Sequence, residues 1–514
     1  MPKIIPGPLS EKHGEIDQVE KVHVGTRINE AYDFASRPEE WHQEYTKKLL
    51  RKIDLRLLHM LSLMFLMSYL DRSNLAQARL AGLEADLGLV GTQFNTCTSI
   101  LFVGYLVMQL PSNLILTRVK PSIYLPAGMF LWGGISAAQA GVNSYGGLFA
   151  CRFLLGFAEA PYFPGAVFLM STWYTRSELS KRYAAFYAGP ALANMFGGLI
   201  AAGVLNSLEG HAGLRAWRWL YVIESVVTVG LAVIAFFVLP DFPQSTKWLS
   251  DEERAYAMWR IANDIGEEEE DTKEPTMMQA VWLAVSDYRT WMFVAMQHCV
   301  LLAQTVTFFF PSIVQTLGYD SVTTLLLTCP VWVATFIATM LNAYSASRYK
   351  ERCLHIVIPM CVTIVGNVMV ITVTARGPRF FAMFLMAMGA QCCFMVVLTW
   401  ISNTFPRPLS KRAAIIAIVN LIGNASNIYG SYLYPSTAAP MYVNAGATVA
   451  VLSFVCILLA IVMRFALKHE NKKIGAMAVH PEHDYHQDPA NAVDRYKGDQ
   501  QRMVLYQRQF RYMY

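Results

Sequence analysis

The chain has 514 residues, 54% of them hydrophobic and only 15% charged, with a formal net charge of +5. A water-soluble globular chain carries about 25% charged residues, so this composition excludes an ordinary soluble domain and points to lipid as the solvent for much of the chain. The basic excess is modest and forms no Lys/Arg block, which argues against a nucleic-acid partner and makes it a guide to membrane topology instead.

Residues 1–54 are polar and mixed in charge, without the apolar core of a secretory signal. They read as a cytosolic tail with an interfacial helix around Trp41 to Lys52. A bilayer core needs about 20 predominantly apolar helical residues to cross it. Stretches of that kind occur at 55–78, 94–116, 123–142, 147–171, 183–206 and 218–239. Six more follow at 290–315, 323–344, 353–374, 378–402, 411–434 and 442–466. Between the two sets lies a charged segment, 240–289, where Ser250 followed by Asp251, Glu252 and Glu253 signals a helix start with a capping box. The expected plan is therefore all-α and integral to the membrane. It comprises a tail (1–54), a six-helix bundle (55–239), a cytosolic central loop (240–289), a second six-helix bundle (290–466) and a tail (467–514).

Orientation follows from Lys and Arg in the short loops, because positive loops stay in the cytosol. With both termini cytosolic, the inner loops hold Arg118, Lys120, Arg176, Lys181, Arg182, Arg348, Lys350, Arg352, Arg407, Lys411 and Arg412. The outer loops hold only Arg79, Arg215, Arg218, Arg376 and Arg379. The loop after span two, SNLILTRVKPS, is echoed after span eight by YSASRYKERCL. Such weak internal symmetry is expected of repeated bundles, and twelve helices in two sixes is the major facilitator architecture.

Enzyme signatures are missing. No G-x-x-x-x-G-K-[ST], G-x-S-x-G or H-E-x-x-H occurs. The nine cysteines fall mostly in apolar runs without C-x-x-C pairs, so neither a disulfide framework nor a zinc site is indicated. The sequon at Asn424 lies inside a span. No metal or cofactor is expected.

Charges inside spans carry the information, since each costs about 2.5–3.5 kcal/mol at a helix centre on insertion scales. Span one offers Asp71 and Arg72; span four offers Arg152 and Glu159, two helical turns apart with Gly156 between them on one face. Counting along the helices puts Arg152 level with the Asp71–Arg72 pair and Glu159 about 10 Å deeper. The four side chains are expected to form a graded column. Two simpler readings stand beside it: an Asp71–Arg152 salt bridge that only pins two helices, and an Arg72 that snorkels outward.

The motifs YLDRSN in span one, RFLLGFAEAPYFPG in span four and STWYTRSELSKR after it resemble the anion:cation symporter family of the major facilitator superfamily. WRWLYVIESVVTV and LPDFPQSTKWLSDEER do so too, and within that family the chain is most similar to the fungal allantoate permease group. The resemblance spans about residues 47–468 and implies proton-coupled uptake of a carboxylate such as nicotinate, pantothenate or allantoate, powered by the proton gradient. It implies proton coupling at Asp71 and Glu159, anion binding at Arg72 and Arg152, and a cavity that includes Tyr69, Tyr105, Trp400 and Asn420.

The residues themselves add further candidates. Asn74, Gln109, Gln304, Asn403 and Asn424 are amides inside spans, each as readily interhelical glue as a ligand group. Glu178 and Arg182, after span four, suit a cytosolic gate or brace. Gly189-Pro190 with Gly197-Gly198 partly resembles a motif of drug:proton antiporters, so an exporter of an acidic metabolite is the second reading; a non-transporting nutrient receptor is the third. The expected partners are a small organic anion, protons and the bilayer, for a monomer in the plasma membrane.

Overall fold

Helices make up the regular structure of the chain, and no strand occurs among the described residues of this computed structural model. The structure describes residues 32–116, 119–175, 178–179, 182–183, 186–187, 189–266, 276–405 and 408–479. Arg118, Arg176, Lys181 and Arg407 of the loop-charge pattern, and the outer parts of both tails, lie outside the described residues.

The first six long helices are α1 (Glu39–Leu80), α2 (Gln93–Leu116), α3 (Pro121–Gln139), α4 (Tyr145–Trp173), α5 (Gly189–Ser207) and α6 (Ala216–Val238). Two helices follow in the central segment, α7 (Asp251–Gly266) and α8 (Met277–Val285). The second set is α9 (Tyr288–Phe308, carried on by Phe310–Gln315), α10 (Ser321–Arg348), α11 (Leu354–Thr372), α12 (Arg376–Thr404), α13 (Leu409–Gly430) and α14 (Val443–Val479). A helix thus stands at each of the twelve expected spans.

Among the described residues, ten of them are long and apolar enough to cross a membrane on their own composition. Helix α2 carries Asn95, Thr96, Thr98, Ser99, Gln109 and Ser112. Several of these polar groups are satisfied by neighbouring helices instead of water. Asn95 Nδ2 donates to the carbonyls of Ser431 (2.7 Å) and Tyr434 (3.2 Å), and Ser99 Oγ to that of Ile428 (2.7 Å). These bonds tie the end of α2 to the end of α13, at the side of the molecule away from the chain termini.

Two boundaries differ from the sequence reading. The interfacial helix is not separate: it runs through one π-helical stretch, Asp54–Leu58, straight into the first span. The central segment carries a second helix, α8, capped by Thr276 and Gln279. The capping box expected at Ser250 is present, with Glu253 N donating to Ser250 Oγ and Ser250 N to Glu253 Oε2, both at 3.1 Å. From there α7 lies on the start of α1. Tyr256 packs edge-on against Trp41 at 5.4 Å, and its hydroxyl meets His42 Nδ1 at 2.9 Å.

One helix pair sets the position of the charges on α4. Gly104 of α2 and Gly156 of α4 let the two backbones touch: a Cβ at Gly156 would overlap the Leu101 carbonyl oxygen, and one at Gly104 the Phe153 carbonyl oxygen. Close approach of this kind is what small residues permit in membrane helices. It fixes the height and rotation of Arg152 and Glu159, which flank Gly156.

Candidate functional site

Side chains at i, i+3, i+4 and i+7 share a helix face, and on α1 that stripe reads Phe65, Ser68, Tyr69 and Arg72. All four line a cavity of about 510 Å³. Tyr105 and Gln109, one turn apart on α2, add a second wall, and Glu159, Tyr162 and Phe163 of α4 a third. The other half of the molecule contributes Leu301 from α9, Phe394 from α12, and Asn420 and Asn424 from α13. Tyr187, just before α5, stacks on Phe394 with ring centroids 4.5 Å apart, so an aromatic contact joins the two halves at the cavity wall.

The chemical centre of this cavity is the Arg72–Glu159 ion pair, in which Arg72 Nε donates to Glu159 Oε2. The Arg72 guanidinium also lies 5.3 Å from the Tyr69 ring and 4.9 Å from the Tyr105 ring, within cation–π range. The Glu159 side chain is fully buried, and its second oxygen, Oε1, has no hydrogen-bond partner among the described residues. Glu159 is the last residue before Ala160-Pro161, and Pro164 follows. Neither proline has an N–H to return to the preceding turn, so α4 is loosened beside its acid.

The graded column of four charges does not form as expected. Successive helical residues point about 100° apart, so Asp71 and Arg72 cannot share a face. Arg72 takes the cavity, and Asp71 turns into the bundle, where its oxygens accept from Ser136 Oγ of α3 (2.7 Å) and Thr228 Oγ1 of α6 (3.2 Å). Asp71 therefore pairs with neither arginine. Arg152 is also outside the cavity lining: it is 1% exposed, and its contacts are the carbonyls of Cys97 (3.4 Å) and Arg72 (3.5 Å). The pinning salt bridge between Asp71 and Arg152 is absent for the same reason, and Arg72 points inward instead of snorkelling.

Of the remaining candidates, Tyr69, Tyr105, Gln109, Asn420 and Asn424 line the cavity. Asn424 Nδ2 donates to the Asn420 carbonyl at 2.8 Å, which orients the pair. Trp400 does not line it. Six positions after Phe394, it has turned about 240° and packs edge-on to Phe293 at 5.6 Å. Gln304 is interhelical glue, donating to the Ala390 carbonyl at 3.1 Å. Asn403 is outside the lining, and Asn74 is fully buried in the bundle, also away from the cavity.

Glu178 and Arg182 form a brace at the opposite end of the bundle from the α2–α13 contact. Arg182 grips Asp54 with two bonds of 2.6 and 2.8 Å, while Glu178 Oε1 accepts from Arg260 of α7 at 2.6 Å. No local sequence pattern points to Asp54 or Arg260 as partners of this brace. Of the aromatic lining, Tyr69 and Tyr105 were expected, and Phe65, Tyr162, Phe163, Tyr187 and Phe394 were not. Phe65 was accessible by stepping back two turns from Arg72, whereas Tyr187 and Phe394 meet only through the packing of distant helices. A further acid, Glu224 of α6, was overlooked although it stands in an apolar span.

Apolar helices closed around a cavity with a buried ion pair in its wall define a multi-pass membrane transporter. Residues 61–431 match the family model of the Major Facilitator Superfamily. The chain belongs to that superfamily and is a secondary transporter, not an enzyme. It is 33% identical over 491 residues to the MFS-type transporter cnsO of Penicillium expansum, covering 92% of this chain and 93% of that one. It is 32% identical over 439 residues to the major facilitator-type transporter hxnP of Emericella nidulans (84% and 87% covered). With the high-affinity nicotinic acid transporter of Saccharomyces cerevisiae it shares 27% identity over 470 residues (91% and 85% covered). Among solved structures, a bacterial homologue of the lysosomal transporter Spinster, inward-facing and occupied, is similar with a TM-score of 0.61 at 11% identity (79% and 95% covered). The xylose transporter XylE of E. coli, partially occluded and inward open, gives 0.60 at 13% identity (79% and 96% covered). These two likenesses support the fold alone.

Proposed function

We propose that this transporter takes up a small organic anion, a carboxylate of vitamin or nitrogen-source type, together with protons. The observation that carries the reading is the guanidinium of Arg72 in the cavity wall, held by Glu159 and flanked by Tyr69 and Tyr105. A planar fork of donors suits a carboxylate, and Glu159 already occupies it with one. Protonation of Glu159 weakens that grip. A substrate carboxylate then takes the fork, and the loaded cavity gains no net charge. Asn420 and Asn424 reach the anion from the other half, so binding draws the two halves together. The exchange runs through Glu159; Asp71, which turns away from the cavity, does not trade places with the substrate.

The similarity to a nicotinic acid transporter supports the substrate class, as do the sequence motifs of the allantoate permease group. The protein acts as a monomer in the plasma membrane with both termini cytosolic, and the proton gradient supplies the energy. The Glu159→Gln variant tests the exchange. It is expected to bind or equilibrate the acid without accumulating it against a gradient. Retained proton-driven accumulation in that variant refutes the role of Glu159.

A further inference from the structure

Behind Arg72, away from the cavity, the first bundle encloses a second polar region that the exchange at Glu159 does not use. Its centre is Glu224, 3% exposed, whose two carboxyl oxygens have no hydrogen-bond partner among the described residues. One turn further along α6, Thr228 donates to Asp71 at 3.2 Å, which places Glu224 and Asp71 side by side across the α1–α6 contact. The depths agree: Asp71 is nine residues from Leu80 and Glu224 eight from Ala216, each about 12–14 Å along its helix from the same end of the bundle.

The other titratable groups facing this pair are Tyr221 of α6, in electrostatic reach of both acids and of Arg152, and Glu159 of α4, whose charge reaches Asp71. Helix α3 presents Trp132, Ser136 and Gln139, none of which titrates. Arg152 Nη1, Tyr221 OH and both polar atoms of Gln139 are buried without hydrogen-bond partners among the described residues. Arg72 and Glu159 neutralise each other, and among the described residues no cation bonds to either carboxyl of the pair. A second ionised acid beside the first would repel it.

We propose that Asp71 and Glu224 form a carboxyl pair that shares one exchangeable proton, a proton-binding site inside the first bundle and separate from the substrate cavity. The step is only O–H formation and cleavage: one acid takes a proton from water and returns it, while the other stays ionised, with Ser136 and Thr228 donating to Asp71. This inference rests on the reading of the protein as proton-coupled, which makes a proton site outside the cavity a second element of coupling.

The test uses no substrate. Purified full-length protein is titrated while pH-difference infrared spectra follow the carboxylic-acid C=O stretch. The wild type is expected to show a buried carboxylic-acid signal that titrates. In Glu224→Gln one component disappears and the remaining Asp71 signal titrates about one pH unit or more lower, because the like charge is gone. Thr228→Ala, a smaller change that removes only a donor to Asp71, shifts the signal the opposite way. Glu224→Asp retains two components. An unchanged spectrum in both Glu224→Gln and Thr228→Ala overturns the pair, as does a Glu224 component that does not move in Asp71→Asn. If the pair titrates as described while uptake proves indifferent to protons, the proposed function fails and this site stands.

Discussion

Replacing Arg72 with alanine strands the Glu159 carboxylate. The side chain of Glu159 is fully buried; Arg72 is the partner of Oε2, and Oε1 has none among the described residues. Breaking a buried ion pair by deleting one member costs about 3–5 kcal/mol, whereas removing both partners leaves no uncompensated charge. Arg72→Ala is therefore expected to lower stability by about that amount at neutral pH, and Arg72→Ala/Glu159→Gln to recover most of it. Acidification neutralises the stranded carboxylate, so the single variant's deficit shrinks as pH falls. The assay is thermal unfolding of the purified protein in detergent across pH, with Glu159→Gln completing the double-mutant cycle. Additive effects with no rescue in the double variant refute the statement that these side chains form one buried unit.

Gly156→Ala drives a Cβ into the Leu101 carbonyl, which belongs to backbone and cannot swing aside; a loss of about 1–3 kcal/mol is expected, against no loss for Gly146→Ala, where nothing lies within 4 Å. Phe394→Ala removes one ring of the inter-bundle stack and widens the cavity, so the variant is expected to accept bulkier acids, read by competition of an acid panel for uptake. Trp400→Phe keeps the packing on Phe293 outside the cavity and is expected to leave the KM for uptake unchanged. Asn95→Ala deletes two bonds between α2 and the turn that follows α13; faster alkylation of a cysteine placed at Thr96 is expected when the two ends part more readily.

Much of the fold was legible because lipid imposes long apolar helices, and twelve such stretches can be counted directly. The helix at Asp251 was legible from its capping box. The continuity of α1 was not, because no local pattern at Ile53–Asp54 shows that the helix read at Trp41–Lys52 runs on into the span. Within the site, Arg72 and Glu159 were found by the cost of charge in a span, and Tyr105, Asn420 and Asn424 lie in the wall as anticipated. Asp71 was assigned to the wrong face through its adjacency to Arg72, although a turn of about 100° per residue separates them. Arg152 shares a stripe with Glu159, but the stripe is wide enough that only its acid reaches the cavity. Tyr187 and Phe394 are more than two hundred residues apart, and no local pattern links them.

Uptake of a panel of labelled carboxylic acids into cells expressing the chain, with and without a proton uncoupler, bears most directly on the central claim. Accumulation of at least one acid that collapses with the uncoupler and is lost in Arg72→Ala is the predicted result. Uptake that ignores the uncoupler, or expression that confers resistance to a toxic acid without any inward transport, contradicts it.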